Sequence, residues 1–279
     1  MSATTRTGRL ARGDGHDIAF AQTIPDAPAG ATGLFWLSGF KSDMTGTKVQ
    51  ALAAWATQED RALTRFDYFG HGASTGAFLD GTIGRWIEDA IFAFDALTEG
   101  GQVLVGSSMG AWIALHLALA RPERVKALVL IAPAPDFTEA LMWAGFPDEV
   151  KAALLRDGVY REATTLDEGG RAQEGLKVSL TLIEEGRRHL LLGGPIDFRG
   201  PVRILQGMHD ESVPYAHALR LAEALVSNDV RVSLSKAGDH RLSTDDDLKG
   251  LMQTVAALLK EVERAAPNQR PSAANGRQV

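Results

Sequence analysis

The 279 residues contain no cysteine. That excludes disulfides, thiol nucleophiles and cysteine-ligated zinc, and it suits a reducing compartment. Long hydrophobic runs are missing as well. No apolar stretch reaches the ~18 residues that a bilayer demands, so no membrane span is expected. Basic residues are fewer than acidic ones, 29 against 35, for a formal net charge of −6. They form no Lys/Arg block of the kind that phosphate backbones require, which argues against a nucleic-acid partner. The seven histidines show no paired spacing such as H-x-x-x-H, so no metal is expected. What is present is ordinary: 45% hydrophobic and 23% charged residues, the profile of a globular chain long enough to bury a full core without covalent staples.

The first stretch, MSATTRTGRLARG, has arginines, no acid before Asp14 and no long amphipathic pattern. It reads as a frayed start rather than a targeting segment, and a cytoplasmic location is expected. The tail 265–279 is rich in Pro, Asn and Ser and reads as disordered.

Between these ends, strand-like apolar runs alternate with helix-period segments. HDIAFAQTI, ATGLFWLSGF, QVLVGS, KALVLIAPAP, GPVRILQG and DVRVSLSKAG read as strands, and RALTRFDYFGHG as a strand breaking into a glycine-bearing loop. TKVQALAAWATQED, IGRWIEDAIFAFDALTEG with its closing Gly100 and Gly101, SMGAWIALHLALARPERV stopping near Pro122, PYAHALRLAEALVSN and the segment from Thr244 to Ala265 read as helices. Repeated alternation predicts an α/β fold, a mostly parallel sheet with helices on both faces. The rhythm breaks at 137–197, which reads as several short helices. The expected organisation is a core of 1–136 and 198–264, with 137–197 inserted as a helical cap.

The stretch VLVGSSMGAW fits G-x-S-x-G with Gly106, Ser108 and Gly110. Alone the pattern is weak. Here it follows an apolar strand and opens a helix, the context in which a strained strand-to-helix turn lifts a serine hydroxyl to the carboxyl edge of a sheet. Side chains two residues to either side would clash, and glycine removes them. Ser108 is the candidate nucleophile, and Ser107 is assigned to packing or helix entry rather than chemistry.

His240 lies in SKAGDHRLS, between the last strand and the last helix, at the edge where catalytic groups collect in open α/β folds. Asp210, in LQGMHDESVP, follows the preceding strand and can accept the imidazole Nδ1–H; Glu211 and Asp239 are the alternatives by the same placement. His116 falls in an apolar helix pattern and reads as a core residue, and His71 reads as shaping its glycine-flanked loop. Two oxyanion donors are expected: the N–H of Met109, next to the serine, and the N–H of Phe40, after Gly39. The competing reading of Phe40 is a plain core aromatic.

Together SGF, GTK, RFDYFGHGAS, GRW, LVGSSMGAW, LHLALARPERVKAL, GMHDESVP and DHR span roughly residues 33 to 245. On these residues the chain resembles an α/β-hydrolase, and more narrowly the branch that includes the mitochondrial palmitoyl-protein thioesterase and mycophenolic acid acyl-glucuronide esterase. The resemblance implies Ser108 as nucleophile, Asp210 as acid and His240 as base, in a serine hydrolase for esters or thioesters without cofactor. Its substrate would be a small-molecule ester or thioester, or an acylated protein. One departure is Ser38-Gly39, where family members often carry Pro-Gly or His-Gly. The same three side chains would also serve a carbon–carbon bond hydrolase or an acyltransferase. Leu141, Met142, Trp143 and Phe146 could line an acyl pocket or form the cap's own core, and Arg187, Arg188 and Arg199 are cations available near the cap.

Overall fold

The run Gln102–Ser107 is buried at every position, which requires a strand covered on both faces. The computed structural model, which describes residues 3–26, 32–166, 172–173 and 175–265, shows how. An N-terminal hairpin (β1, Thr4–Ala11; β2, Asp17–Ile24) leads into β3 (Gly33–Leu37), α1 (Thr47–Gln58), β4 (Leu63–Phe66), α2 (Ile83–Leu97), β5 (Gln102–Ser107), α3 (Met109–Ala120) and β6 (Val125–Ile131). The next segment holds a wide π-helical turn (Thr138–Trp143) and α4 (Asp148–Asp157). Short strands β7 (Val159–Arg161), β8 (Thr165–Leu166), β9 (Ala172–Gln173) and β10 (Lys177–Ser179) follow, then α5 (Leu180–Gly186). The chain returns as β11 (Val202–Gly207), α6 (Tyr215–Ala224), β12 (Val230–Ser235) and α7 (Asp245–Ala265).

Eight strands form one sheet in the order β1-β2-β4-β3-β5-β6-β11-β12. From β4 to β12 all neighbours run parallel, and the hairpin adds an antiparallel edge. Side chains alternate between the two faces. Phe35, Leu37 and Leu104 pack with Trp86 and Phe94 of α2, Trp112 of α3 and Leu221 of α6. Leu34, Trp36, Val103 and Val105 pack on the other side with Val49 and Leu52 of α1 and Leu251 and Val255 of α7. Each such large side chain taken from water contributes about 1.5–3 kcal/mol. After β3 the chain builds outward in one direction through β4; from β5 it builds outward in the other. The loops after β3 and β5 therefore diverge and leave a crevice at the carboxyl edge.

Three expectations are corrected. The start is not frayed: Thr4–Ala11 pairs with β2 over its whole length. Its side chains are almost all exposed, so main-chain pairing holds it and leaves no apolar period in the sequence. Arg12, just beyond, pairs with fully buried Asp89. Second, the segment between β6 and β11 is not purely helical. Gly158, at φ 74°, stops α4 in the left-handed region, and the chain continues as β7, paired antiparallel with β10. Third, Ala265 still belongs to α7, and the rest of the expected tail lies outside the described residues.

Candidate active site

Ser108 closes β5 with φ 54° and ψ −117°, a left-handed backbone for a residue with a side chain. Such geometry costs about 1–3 kcal/mol and persists only where its surroundings over-determine it. They do. The Ser108 N–H donates to the Ile131 carbonyl at 2.8 Å, and the Ser108 carbonyl accepts from Ala111 at 3.0 Å and Ala134 at 3.2 Å. A Cβ on Gly110 would lie 2.1 Å from the Leu37 oxygen, and one on Gly106 2.5 Å from the Gly110 oxygen. Backbone crowding thus dictates the glycine spacing. Met109 begins α3, so its N–H belongs to the first turn, whose donors have no intrahelical partner.

Asp210 and His240 are brought together from the loops after β11 and β12. His240 Nδ1 donates to Asp210 Oδ2 at 2.8 Å. The carbonyl-side neighbours fix the carboxylate further: Val213 N–H at 2.7 Å and Ser212 N–H at 3.0 Å reach Oδ1, and Gln206 Nε2 reaches Oδ2 at 3.1 Å. Burial pulls this carboxyl upward, but the bonds from His240 and Val213 outweigh it and hold Asp210 below the ordinary carboxylate range. The alternatives Glu211 and Asp239 are exposed, as is His209. Asp239 instead accepts from the N–H groups of Arg241 and Leu242, both at 3.0 Å.

A cavity of about 470 Å³ opens at the crevice, lined by Gly39, Phe40, Lys41, Ser108, His240 and Arg241 among others. Ser108 and His240 therefore face one space, although among the described residues no hydrogen bond joins the Ser108 hydroxyl to the imidazole. Gly39 packs on the elbow: a Cβ there would stand 3.2 Å from the Ser107 oxygen. Phe40 lines the cavity, and its ring packs against Phe78 and Phe137 at 5.0 and 5.5 Å, as the core-aromatic reading expects.

Sequence reasoning missed the groups that hold these loops. Buried Asp67 accepts from Met44 N–H at 2.7 Å and Ala73 N–H at 2.8 Å, clamping the loop after β3 to the loop after β4. Its burial raises its pKa, more than those bonds lower it. Lys48 donates to the Arg241 carbonyl and so ties α1 to the His240 loop; burial lowers its pKa. Gln206 is buried beneath Asp210. A carboxylate or amide next to a glycine-rich loop is a signal for the first, but nothing local marks the other two.

The remaining candidates fall elsewhere. His71 is buried, its Nδ1–H donating to the Phe69 carbonyl at 3.1 Å, and burial lowers its pKa. His116 donates from Nε2 to the His189 carbonyl at 2.9 Å; burial pushes its pKa down to about 4. Leu141, Met142, Trp143 and Phe146 pack against the main core rather than line the cavity. Arg187 pairs with Glu139 at 2.7 Å and Arg199 with Asp197 at 3.0 Å.

The family model described as serine aminopeptidase, S33 matches residues 35–161. The mitochondrial palmitoyl-protein thioesterase ABHD10 of Mus musculus is 36% identical over 235 residues, covering 84% of this chain and 77% of that protein. The chain belongs to the α/β-hydrolase family. Solved α/β-hydrolase relatives agree: alpha/beta hydrolase domain-containing protein 10 from mouse matches with a TM-score of 0.81 at 34% identity, over 92% of this chain and 99% of that one. A protein from Agrobacterium vitis S4 matches with a TM-score of 0.84 at 40% identity, over 92% of this chain and 99% of that one. The chain is thus a hydrolase of this family, close to a thioesterase. The cytoplasmic expectation is overturned, because the mouse relative is a mitochondrial protein by name. Lack of cysteine fits any reducing compartment and does not choose among them. Among the described residues no helix is long and apolar enough to cross a membrane, and no group of three His, Asp or Glu side chains could hold a metal ion.

Proposed function

We propose that the chain is a serine hydrolase that cleaves carboxylic esters or thioesters through an acyl-enzyme on Ser108. The observation that carries this reading is the 2.8 Å Asp210–His240 bond at the wall of the cavity that Ser108 also lines. With Nδ1–H given to Asp210, His240 presents Nε2 as the base. Rotation of the Ser108 side chain within the shared cavity lets Nε2 take its proton while Oγ attacks the acyl carbon. The N–H groups of Met109 and Phe40 hold the resulting oxyanion; such a donor contributes about 2.7–4 kcal/mol. His240 then hands the proton to the departing alcohol or thiol. A water enters, gives a proton to Nε2, attacks the acyl carbon, and the acid leaves as Ser108 is reprotonated. Asp210 keeps the tautomer and stabilises the imidazolium. Residues 137–197 act as a cap over the core of 1–136 and 198–264, and a small-molecule ester or thioester enters between them.

The expected outcome for Ser108→Ala is a loss of p-nitrophenyl butyrate hydrolysis by ~10⁴-fold or more with the melting temperature retained. Unchanged turnover in that folded variant would overturn the proposal.

A further inference from the structure

The segment between β6 and β11 leaves the core and returns to it at two points that meet on one side chain. Asp136 stands where it leaves, with a left-handed backbone at φ 57°. Its buried carboxylate accepts the Leu191 N–H at Oδ1 and the Leu192 N–H at Oδ2, both at 2.8 Å. Those two residues lie near the other end of the segment. A carboxylate that takes one N–H on each oxygen is matched on both sides, which a neutral amide in its place is not. The Asp136 carbonyl opens the π-helical turn, accepting from Glu139 at 3.1 Å and Ala140 at 2.8 Å. The residues before it are tied to the core. The Pro135 carbonyl accepts from Nε2 of buried His217 in α6 at 2.7 Å, and the Ala134 N–H donates to the Ser108 carbonyl at 3.2 Å.

Phe137, the next residue, is aimed by this clasp. Its ring meets that of Trp112 of α3 at 5.8 Å and that of Phe40 at 5.5 Å. The Phe40 ring also meets Phe78 at 5.0 Å and Trp86 of α2 at 6.0 Å, so Phe137 is the wall that comes from beyond β6. Phe40 itself lies in a turn that the Ser42 N–H closes on the Gly39 carbonyl at 3.1 Å, with Lys41 left-handed at φ 58°. A strained turn of this kind keeps one shape only while its surroundings fix it.

We infer that Asp136 is a positioning residue for the reaction: by clasping both ends of the segment between β6 and β11 it holds Phe137 on the Phe40 ring, and so sets the Phe40 N–H toward the oxyanion. The inference rests on the hydrolase reading above and deepens it, from the donor to what holds the donor in place. An oxyanion donor helps only if it is placed before charge develops, and a misplacement of about 1 Å costs about a hundredfold in rate. Among the described residues neither Asp136 nor Phe137 lines the catalytic cavity. Their effect therefore passes through the Phe40 ring and not through contact with substrate.

The test is a double-variant cycle on the full chain, reading kcat and KM for p-nitrophenyl butyrate together with the melting temperature. Asp136→Asn keeps a residue that tolerates the left-handed backbone but turns one acceptor into a donor that faces an N–H. Phe137→Leu removes the ring. Each alone should lower kcat by about ten- to a hundredfold, with KM within about twofold. The two together should cost no more than the larger single change, because both act through one contact. Asp136→Gly, which adopts the same backbone freely and deletes both bonds, should lower kcat at least as far as Asp136→Asn. Unchanged kcat in the folded Asp136 variants, a rise in KM alone, or effects that multiply in the double variant each overturn the inference. Loss of the fold in both Asp136 variants does so too, since the clasp would then serve stability. Turnover that survives Ser108→Ala would remove the hydrolase reading itself. Ser108-dependent turnover that is indifferent to Asp136 would remove this inference alone.

Discussion

Ser108 and His240 reach one cavity by opposite means. The serine sits at the junction of β5 and α3, two elements buried almost throughout, and its position follows from backbones in contact. The imidazole sits on a loop after β12, whose strand is largely exposed, and its position follows from a hydrogen bond to a buried carboxylate that is itself held by Gln206, Ser212 and Val213. The first half of the site is built from shape, the second from charge and bonding. Each support should fail in its own manner: crowding the glycines around the serine should cost stability, while loosening the carboxylate behind the imidazole should cost rate.

Among changes to these supports, the largest expected effect is on the bonded half. Asp210→Asn should lower kcat for p-nitrophenyl butyrate by about 10³–10⁴-fold, read in steady-state assays, because the imidazole loses the acceptor that fixes its tautomer. The same variant sharpens the comparison through pH. Asp210 lies below the ordinary carboxylate range when folded, so the folded chain binds fewer protons there than the unfolded one. Its contribution to stability is complete above the ordinary value near 4 and is lost as pH falls through the lowered one. Denaturation curves from pH 6 to pH 2 should therefore flatten on the acid side in Asp210→Asn. An unchanged rate would break the comparison.

On the packed half, Gly110→Ala should reduce stability by about 3 kcal/mol in denaturant titration, since the new Cβ would press on the Leu37 carbonyl. A variant of normal stability would show that crowding does not set the elbow. The smallest effect is expected beneath the carboxylate. Gln206→Met removes one donor to Asp210 and the bonds from the same Nε2 to the Gly207 and Val213 carbonyls, and it deletes a buried Oε1 that has no hydrogen-bond partner among the described residues. Stability near neutral pH should fall by about 1–2 kcal/mol, kcat should fall by about tenfold, and the acid-side loss of stability should begin at a higher pH. A large loss of stability at neutral pH would mean that Gln206 serves packing rather than Asp210.

The split also explains what could be read in the sequence. The strands from Gly33 to Ile131 and the elbow were legible because burial on both faces writes continuous apolar runs, and crowding writes glycines at fixed spacing. The placement of Asp210 beside His240 followed from where strands end. By contrast, β1 is held by main-chain pairing, which any side chain permits, and its exposed residues carry no period. The strands β7 and β10 are three residues each, too short to establish alternation. Asp67, Lys48 and Gln206 act across distances in sequence that only the closed sheet shortens. The short strands inside the expected cap escaped notice for a related reason: the apolar residues around them pack against a core already formed by α2 and α3, so their spacing reflects that surface.

The left-handed backbone at Ser108 has a last consequence. Glycine would rest in that conformation without the steric penalty a Cβ brings, so the proposed nucleophile is poorly suited to its own position. The chain is therefore less robust than its scaffold permits. A version relieved of its chemistry at this one point should outlast the working one on heating.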